Sequence, residues 1–85
     1  MKWTVVWQPA ADDRLAELWN AGPDRAAIAQ AADQIEWLLR RDPLRQGEQR
    51  DGNIRVLIVR PLAVGYNVSE PDCLVSVFAV WRWGK

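Results

Sequence analysis

The sequence contains no histidine and one cysteine, Cys73, among its 85 residues. A single thiol cannot form an internal disulfide, and without histidine neither a serine triad nor the common zinc ligand sets can be assembled. No apolar run is long enough for a membrane span or a signal peptide. We therefore expect a reduced, cytoplasmic protein with no membrane association, no metal and no cofactor.

Phenylalanine and tyrosine each occur once, whereas tryptophan occurs six times. An indole combines a large apolar surface with an N–H group that needs a partner. A single domain of this size, spanning residues 1–85, buries only about 60% of the surface that its unfolded chain exposes. Six tryptophans exceed what such a core requires, so we expect some of them to lie at an interface.

Net charge is also absent, because eleven basic residues balance eleven acidic residues. This balance argues against a protein that coats nucleic acid through its overall charge. The charges are unevenly distributed, however. Residues 1–39 have a net charge of −3, and residues 40–85 have a net charge of +3. The second half is therefore where we expect an anion to be attracted.

The first half predicts one strand followed by two helices. Residues 3–7, WTVVW, alternate in the manner of a strand. From Ala10 onwards the apolar residues have the spacing of a helix. A second, longer stripe with helical spacing has Pro23 in its first turn and ends before Asp42-Pro43. The apolar positions of the two stripes are Ala11, Leu15, Leu18 and Trp19, then Ile28, Ala31, Ala32, Ile35, Leu38 and Leu39. About three residues join the two helices, so we predict an antiparallel helical hairpin.

The second half predicts a polar loop over residues 43–53 and then three strands, at 54–59, 63–68 and 74–82. The later strands are apolar on both faces, which is typical of strands covered by helices on one side and by other material on the second. The predicted fold is α+β with the order β-α-α-β-β-β. It is a four-stranded, mainly antiparallel sheet with a helical hairpin on one face.

Several stretches resemble one known family from end to end. They are the opening W-x-V-x-W, the A-x-x-x-L-x-x-L-W of the first helix, LLRRDP at the end of the second, the G-E-x-R of the loop, then R-V-L, PLAVGYNV and V-S-V-F-A-V-W-R. Together they resemble the RelE/ParE superfamily of bacterial toxins from type II toxin–antitoxin systems. The resemblance implies a small cytoplasmic toxin, linked to plasmid stabilisation and growth inhibition, that a cognate antitoxin neutralises. Members of this family are either ribosome-dependent mRNA endonucleases or inhibitors of DNA gyrase.

The resemblance also implies which residues form the site. Tyr66 matches the family's third-strand tyrosine, but Ala63 occupies the position of the arginine three residues before it. Arg55 and Arg60 fall near the basic positions of the second strand, and Arg82 matches a basic position at the end of the last strand. The family's terminal tyrosine or histidine has no counterpart after Arg82.

RNA cleavage without a metal requires a proton acceptor, a proton donor and fixed positive charge beside the phosphate. The candidate catalytic residues are Arg55, Arg60 and Arg82 for charge and Glu48 and Tyr66 for proton transfer.

Each of these residues also has a structural interpretation. Residues 55 and 60 differ by an odd number, so on a continuous strand they point to opposite faces. Tyr66 shares the parity of core positions, and Glu48 has the spacing of a loop ion pair with Arg45 or Arg50. Arg82 has the spacing to stack on neighbouring indoles.

The candidate antitoxin-binding residues are Trp81, Arg82, Trp83 and Arg50. Our leading hypothesis is a toxin that acts by binding its target, which is DNA gyrase or another non-nucleolytic target. The alternatives are a ribosome-dependent mRNA endonuclease and a non-toxic interaction module on the same scaffold. Without its antitoxin, the chain is expected to be capable of homodimerisation through an aromatic patch.

Overall fold

The computed structural model describes residues 3–84, which form two helices and one five-stranded sheet. In chain order the elements are β1 (Thr4–Trp7), α1 (Pro9–Ala21), α2 (Arg25–Arg41), β2 (Glu48–Gln49), β3 (Ile54–Val59), β4 (Leu62–Ser69) and β5 (Leu74–Arg82). The strand order is β1-β5-β4-β3-β2. The pair β1 and β5 is parallel and the other pairs are antiparallel. The predicted α+β class is therefore confirmed.

Two details of the prediction were wrong. The segment predicted as a loop contains a fifth strand, β2, whose Glu48 pairs with Val56. A strand of two residues has no alternating pattern by which the sequence could reveal it. Pro23 lies in the turn before α2 instead of in its first turn. The amide of Ile28 donates to the carbonyl of Asp24 at 3.0 Å, so the helix begins after Asp24.

The core lies between the helical hairpin and one face of the sheet. Helix α2 contributes Ile28, Ile35 and Leu39, each at most 1% exposed. Their partners on the sheet include Val64 and Val77, which are fully buried. Trp3, just before β1, and Trp7, at its end, pack against this cluster. The hairpin thus covers the face of the sheet to which these side chains belong.

The opposite face of the sheet, here called the outer sheet face, is defined by Val6, Ile58, Ala63, Phe78 and Trp81. Ile58 pairs with Ala63, and Ala63 pairs with Trp81, so one apolar row crosses three strands. A bulge brings Phe78 over this face beside Gly65, where an added Cβ would lie 3.1 Å from the Phe78 ring. No element of residues 3–84 covers the outer sheet face. The other material predicted on this side is therefore not supplied by residues 3–84.

Two glycines in the segment between α2 and β3 provide a matched test of local strain. Gly47 and Gly52 have φ angles of 68° and 58°. A Cβ on Gly47 would clash with the backbone oxygen of Val56, whereas a Cβ on Gly52 would meet nothing within 4 Å. We expect Gly52→Ala to cost about 1 kcal/mol of unfolding free energy and Gly47→Ala to cost more than about 2 kcal/mol. Urea denaturation measures both, and equal losses would contradict the proposed close contact of Gly47 with β3.

Candidate functional site

Tyr66 lies at the centre of β4 and is fully buried on the core face. Its hydroxyl lies 2.8 Å from the carbonyl oxygen of Pro43 and 2.7 Å from that of Gln46, and it shares its proton between them. Burial raises the pKa of Tyr66, and the nearby Arg55 partly offsets this. These contacts fix the segment that follows α2. Tyr66 is thus a core residue, in agreement with its structural interpretation.

Arg55 lies beside Tyr66 in the register of β3 and β4. Its Nε donates to the carbonyl oxygen of Gln46 at 3.1 Å. The side chain borders a cavity of about 140 Å³ whose lining also includes Asn53 and Glu70. The cavity therefore contains one cation and one anion instead of a cluster of cations.

Arg60 lies in the turn between β3 and β4, at the opposite end of β3 from Arg55. Five strand residues separate the two α-carbons by about 16 Å. The Arg60 guanidinium lies next to Gly84, where an added Cβ would be 3.8 Å from it. Arg60 forms no hydrogen bond or ion pair within the described part of the chain. It is an exposed charge at one end of the sheet.

Arg82 forms a bidentate ion pair with Asp24, which connects the end of β5 to the start of α2. Its Nη1 and Nη2 atoms lie 2.6 Å and 3.4 Å from the two carboxylate oxygens. The hydrogen bond from Arg82 lowers the pKa of Asp24. This ion pair differs from the predicted stacking of Arg82 on neighbouring indoles. The structure instead shows Arg25 over Trp19 at 4.7 Å and Arg41 over Trp37 at 4.6 Å.

Glu48 lies on β2, where its carboxylate is 3.3 Å from the Nε of Arg50. Both side chains are more than half exposed, and such ion pairs contribute little stability. Strand pairing puts Glu48 close to Arg55 and Tyr66 along the register, but its partner Val56 alternates with Arg55, so the Glu48 side chain points to the opposite face of the sheet from both. Arg60 and Arg82 lie at the other end of the sheet. The five candidate catalytic residues therefore form two separate groups.

The candidate partner-binding residues lie along two borders of the sheet. Trp81 is half-buried at the end of β5, and Trp83, which follows β5, is 40% exposed. The amide of Trp83 donates to the carbonyl of Pro61 at 2.8 Å, which holds this segment beside the β3–β4 turn. Arg50 lies at the other border, next to β2. The two tryptophans and Arg82 are adjacent, whereas Arg50 is separate from them.

The sequence did not predict two features of the helical side. Trp19 and Trp37 are 40% and 56% exposed. Beside Trp19, a groove of about 400 Å³ runs between α1 and α2, with Asp12 and Asp33 on its walls. The acidic residues were visible in the sequence, but their convergence from two helices was not. Among residues 3–84, no three potential ligands are grouped to hold a metal, and no helix is long and apolar enough to cross a membrane.

Replacing Tyr66 with phenylalanine tests its hold on the segment that follows α2. The substitution removes one donor from two carbonyl oxygens, and we expect a loss of about 1–3 kcal/mol in unfolding free energy. The control is Ser69→Ala, which removes the exposed hydrogen bond from Ser69 to Asp72 and should cost less than about 0.5 kcal/mol. Chemical denaturation measures both. A Tyr66→Phe protein as stable as the control would show that the hydroxyl contributes nothing to stability.

The ion pair of Asp24 and Arg82 predicts a pH dependence of stability. Because the pKa of folded Asp24 lies below its ordinary value of 3.8, the contribution is complete above that value. It is lost as the pH falls through the lower folded pKa. We therefore expect Asp24→Asn to be less stable than the wild type at neutral pH and equally stable at the acidic end. Thermal unfolding from pH 7 to pH 2.5 measures this difference.

A double-mutant cycle isolates the same ion pair. Asparagine remains a favourable helix N-cap residue, so Asp24→Asn mainly removes charge. Arg82→Gln should produce a similar loss, and the double variant should be no less stable than either single variant. Fully additive losses would contradict a direct interaction between the two side chains.

No protein-family model and no curated protein match this sequence. Solved structures do. The chain is similar to the RelBE2 toxin–antitoxin complex from Mycobacterium tuberculosis, with a TM-score of 0.78 and 20% identity over 96% of this chain and 99% of that one. It is also similar to the chromosomal ParDE system from P. aeruginosa, with a TM-score of 0.75 and 16% identity over 98% of both chains.

A third similar structure is the isolated E. coli RelE toxin, with a TM-score of 0.71 and 13% identity over 98% of this chain and 86% of that one. Identities this low establish the fold and nothing finer. The fold expected from the sequence resemblance is therefore confirmed: the chain has the fold of these toxin and toxin–antitoxin structures.

Proposed function

We propose that this chain is the toxin of a bacterial type II toxin–antitoxin pair, neutralised by a cognate antitoxin, and that it acts by binding its target. Its fold supports the proposal, because the similar structures are named as toxins or toxin–antitoxin complexes and match nearly the whole chain. The sequence stretches that resemble the family support it independently.

The observation that carries the proposal is the uncovered outer sheet face. Val6, Ile58 and Phe78 are between 37% and 41% exposed on this side. Trp83 continues the apolar surface beyond β5, and Arg60 adds a positive charge beside it. Contiguous apolar surface rimmed by charge is typical of a protein-binding site. We assign this face, with Trp81 and Trp83 at its border, to the antitoxin, whereas the Arg82 side chain points to the hairpin side, where it pairs with Asp24.

Binding without cleavage accounts for the arrangement of the candidate catalytic groups. A cleaving site needs a cation and a proton-transfer group at the same phosphate. Here Arg82 is engaged by Asp24, and the hydroxyl of Tyr66 is engaged by two backbone carbonyls. Arg60 lies at the other end of the sheet from Tyr66. A gyrase-type or other non-nucleolytic target fits this arrangement best.

One observation favours a second candidate function, ribosome-dependent cleavage of mRNA. Arg55 borders a cavity of about 140 Å³ that Glu70 also lines, and Tyr66 is the partner of Arg55 in the strand register. A phosphate in this cavity would meet one guanidinium, with Glu70 as the carboxylate in the same lining. On this hypothesis Arg55→Ala should lower cleavage by two or more orders of magnitude, because it removes a group that stabilises the transition state.

Expression and target assays separate these functions. Inducing the chain alone in bacteria should arrest growth, and co-expression of the adjacent antitoxin gene should restore it. The purified chain should inhibit gyrase supercoiling and leave mRNA on programmed ribosomes intact. Cleavage at the ribosome would instead establish the second candidate. Unimpaired growth, with the protein expressed in soluble and folded form, would instead support the third hypothesis, a non-toxic interaction module.

The assigned antitoxin surface can be tested with a matched pair of substitutions. Phe78 and Leu44 are similarly exposed, at 37% and 41%, but only Phe78 lies on the outer sheet face. We expect Phe78→Asp to weaken antitoxin binding at least about tenfold, as for an interface hot spot, and Leu44→Asp to leave it unchanged. Calorimetry of the purified pair measures both affinities. Equal effects of the two substitutions would rule out the outer sheet face as the antitoxin site.

A further inference from the structure

Strand β1 forms one border of the sheet, and its outward edge has backbone groups without a partner. On the inward edge, the amide of Thr4 donates to the carbonyl of Cys73 at 2.9 Å in the parallel pairing with β5. Backbone groups point alternately to the two sides of a strand, so the amides of Val5 and Trp7 point away from β5. Among residues 3–84, neither amide donates a hydrogen bond to another element. This edge is therefore able to pair with a further strand.

The outward edge of β1 also lacks the features that usually prevent strand pairing. Exposed edges are commonly protected by charged side chains, by proline, by a bulge or by an edge strand of very few residues. The opposite border of the sheet is protected in this way, because β2 consists only of Glu48 and Gln49. The residues of β1, TVVW, include no charge and no proline, and their register with β5 is regular. Such an edge is typical of a strand that another chain extends.

The sequence at this edge suits pairing with a second copy of itself. The stretch WTVVW is nearly symmetric about Val5. In an antiparallel pair with Val5 on a two-fold axis, the two Val5 residues form a hydrogen-bonded pair and exchange both N–H···O bonds. Trp7 of each copy then lies opposite Trp3 of the other, and its amide donates to the carbonyl of that Trp3. Thr4 lies opposite Val6. The pairing thus uses the amides that β5 leaves without a partner.

The charges beside the two ends of β1 are complementary under the same symmetry. At the Trp3 end, Arg40 lines a cavity of about 310 Å³, and its carbonyl accepts a hydrogen bond from the amide of Trp3 at 3.1 Å. At the Trp7 end, a cavity of about 210 Å³ is lined by three carboxylates, those of Asp12, Asp33 and Glu36. Antiparallel pairing places the Trp3 end of one copy against the Trp7 end of the other. The cation of each copy therefore faces the carboxylates of the other copy.

Arg40 is able to contact a second copy without losing its own ion pair. Its Nη2 atom lies 2.8 Å from the carboxylate of Glu36, and its side chain is 59% exposed. A guanidinium group has five N–H donors, so one ion pair does not exhaust it. Asp12 and Asp33 form no ion pair with any of residues 3–84 and are therefore available to a cation.

We propose that two copies of this chain associate through β1, paired antiparallel about Val5, so that their two sheets become one continuous sheet. The same strand serves on both copies, so the association closes at a dimer. This dimer is held by backbone groups and charges at the edge of the sheet, not by the exposed aromatic patch that the composition suggested. The proposal concerns the chain by itself and does not rest on the proposed function.

Cross-linking tests the register of the pairing. Thr4 and Val6 of the second copy form a non-hydrogen-bonded pair with Cα atoms about 4.5 Å apart, within the disulfide range of roughly 4.4–6.8 Å. Two residues at position 4 are diagonal neighbours at about 7–8 Å, as are two at position 6, which is too far. A Thr4→Cys protein mixed with a Val6→Cys protein should therefore cross-link on oxidation at least about tenfold more than either protein alone.

Two details make this assay specific. Both proteins also contain Cys73→Ser, which removes the native thiol. Tags of different size on the two proteins distinguish mixed dimers from dimers of one protein on a denaturing gel without reductant.

Sedimentation equilibrium tests the charge contacts. The wild-type chain should dimerise as its concentration rises. Arg40→Glu should raise the dimer dissociation constant at least about tenfold, at about threefold for each of the two symmetric contacts. Arg45→Glu is the matched control, because Arg45 is also exposed and paired on its own chain, with Asp42, but lines neither cavity. It should leave dimerisation unchanged. Circular dichroism confirms that both variants are folded.

A chain that stays monomeric at every concentration would overturn the proposal, and the edge would then be left to a strand of another protein. Cross-linking of either cysteine protein alone as efficiently as the mixture would overturn it too, as would equal effects of Arg40→Glu and Arg45→Glu. The result is separable from that of the proposed function. Dimerisation without growth arrest would keep the edge pairing and reject the toxin, and growth arrest by a monomeric chain would do the reverse.

Discussion

The structure depends on one constraint: two helices can bury only one face of the five-stranded sheet. Ile28, Ile35 and Leu39 supply a continuous apolar face on α2, and the sheet meets it with fully buried residues such as Val64 and Val77. A domain this small has no further layer available for the second face. The apolar residues of β3 and β5 that point away from the helices therefore remain at the surface. The exposure that suggests partner binding follows directly from the size of the chain.

Much of the fold was predictable because strong local patterns mark its elements. β3 and β5 have the predicted bounds, since both are largely apolar runs with glycine, proline or aspartate two positions beyond each end. β2 was not predictable, because its two residues are held only by pairing with β3. The start of α2 was misassigned because proline favours both a turn and a first helical turn. The carboxylate of Asp24, which follows Pro23, pairs with Arg82 instead of capping the helix.

The site was less predictable than the fold, because its residues are defined by distant partners. Asp24 and Arg82 are 58 positions apart, and the sequence around either residue does not indicate that the other is its partner. Tyr66 was recognised as a core residue by parity, but its partners are backbone oxygens, which have no sequence signature. The surplus of tryptophan predicted indoles at an interface, and Trp19, Trp37 and Trp83 are exposed. Trp37, which is more exposed than Trp83, could not be distinguished because exposure depends on which helix face meets the sheet.

The uneven distribution of charge along the sequence becomes an uneven distribution of charge over the fold. Residues 1–39, with a net charge of −3, form β1, α1 and most of α2, whereas residues 40–85, with +3, form the end of α2, including Arg40 and Arg41, and the rest of the sheet. Because these charges cancel, the electrostatic field of the molecule is weak at long range. At physiological salt, the field of each charged surface is screened beyond about 8 Å. Recognition is therefore local to each side. A partner must therefore match the charges close to the surface that it covers and not the net charge of the chain.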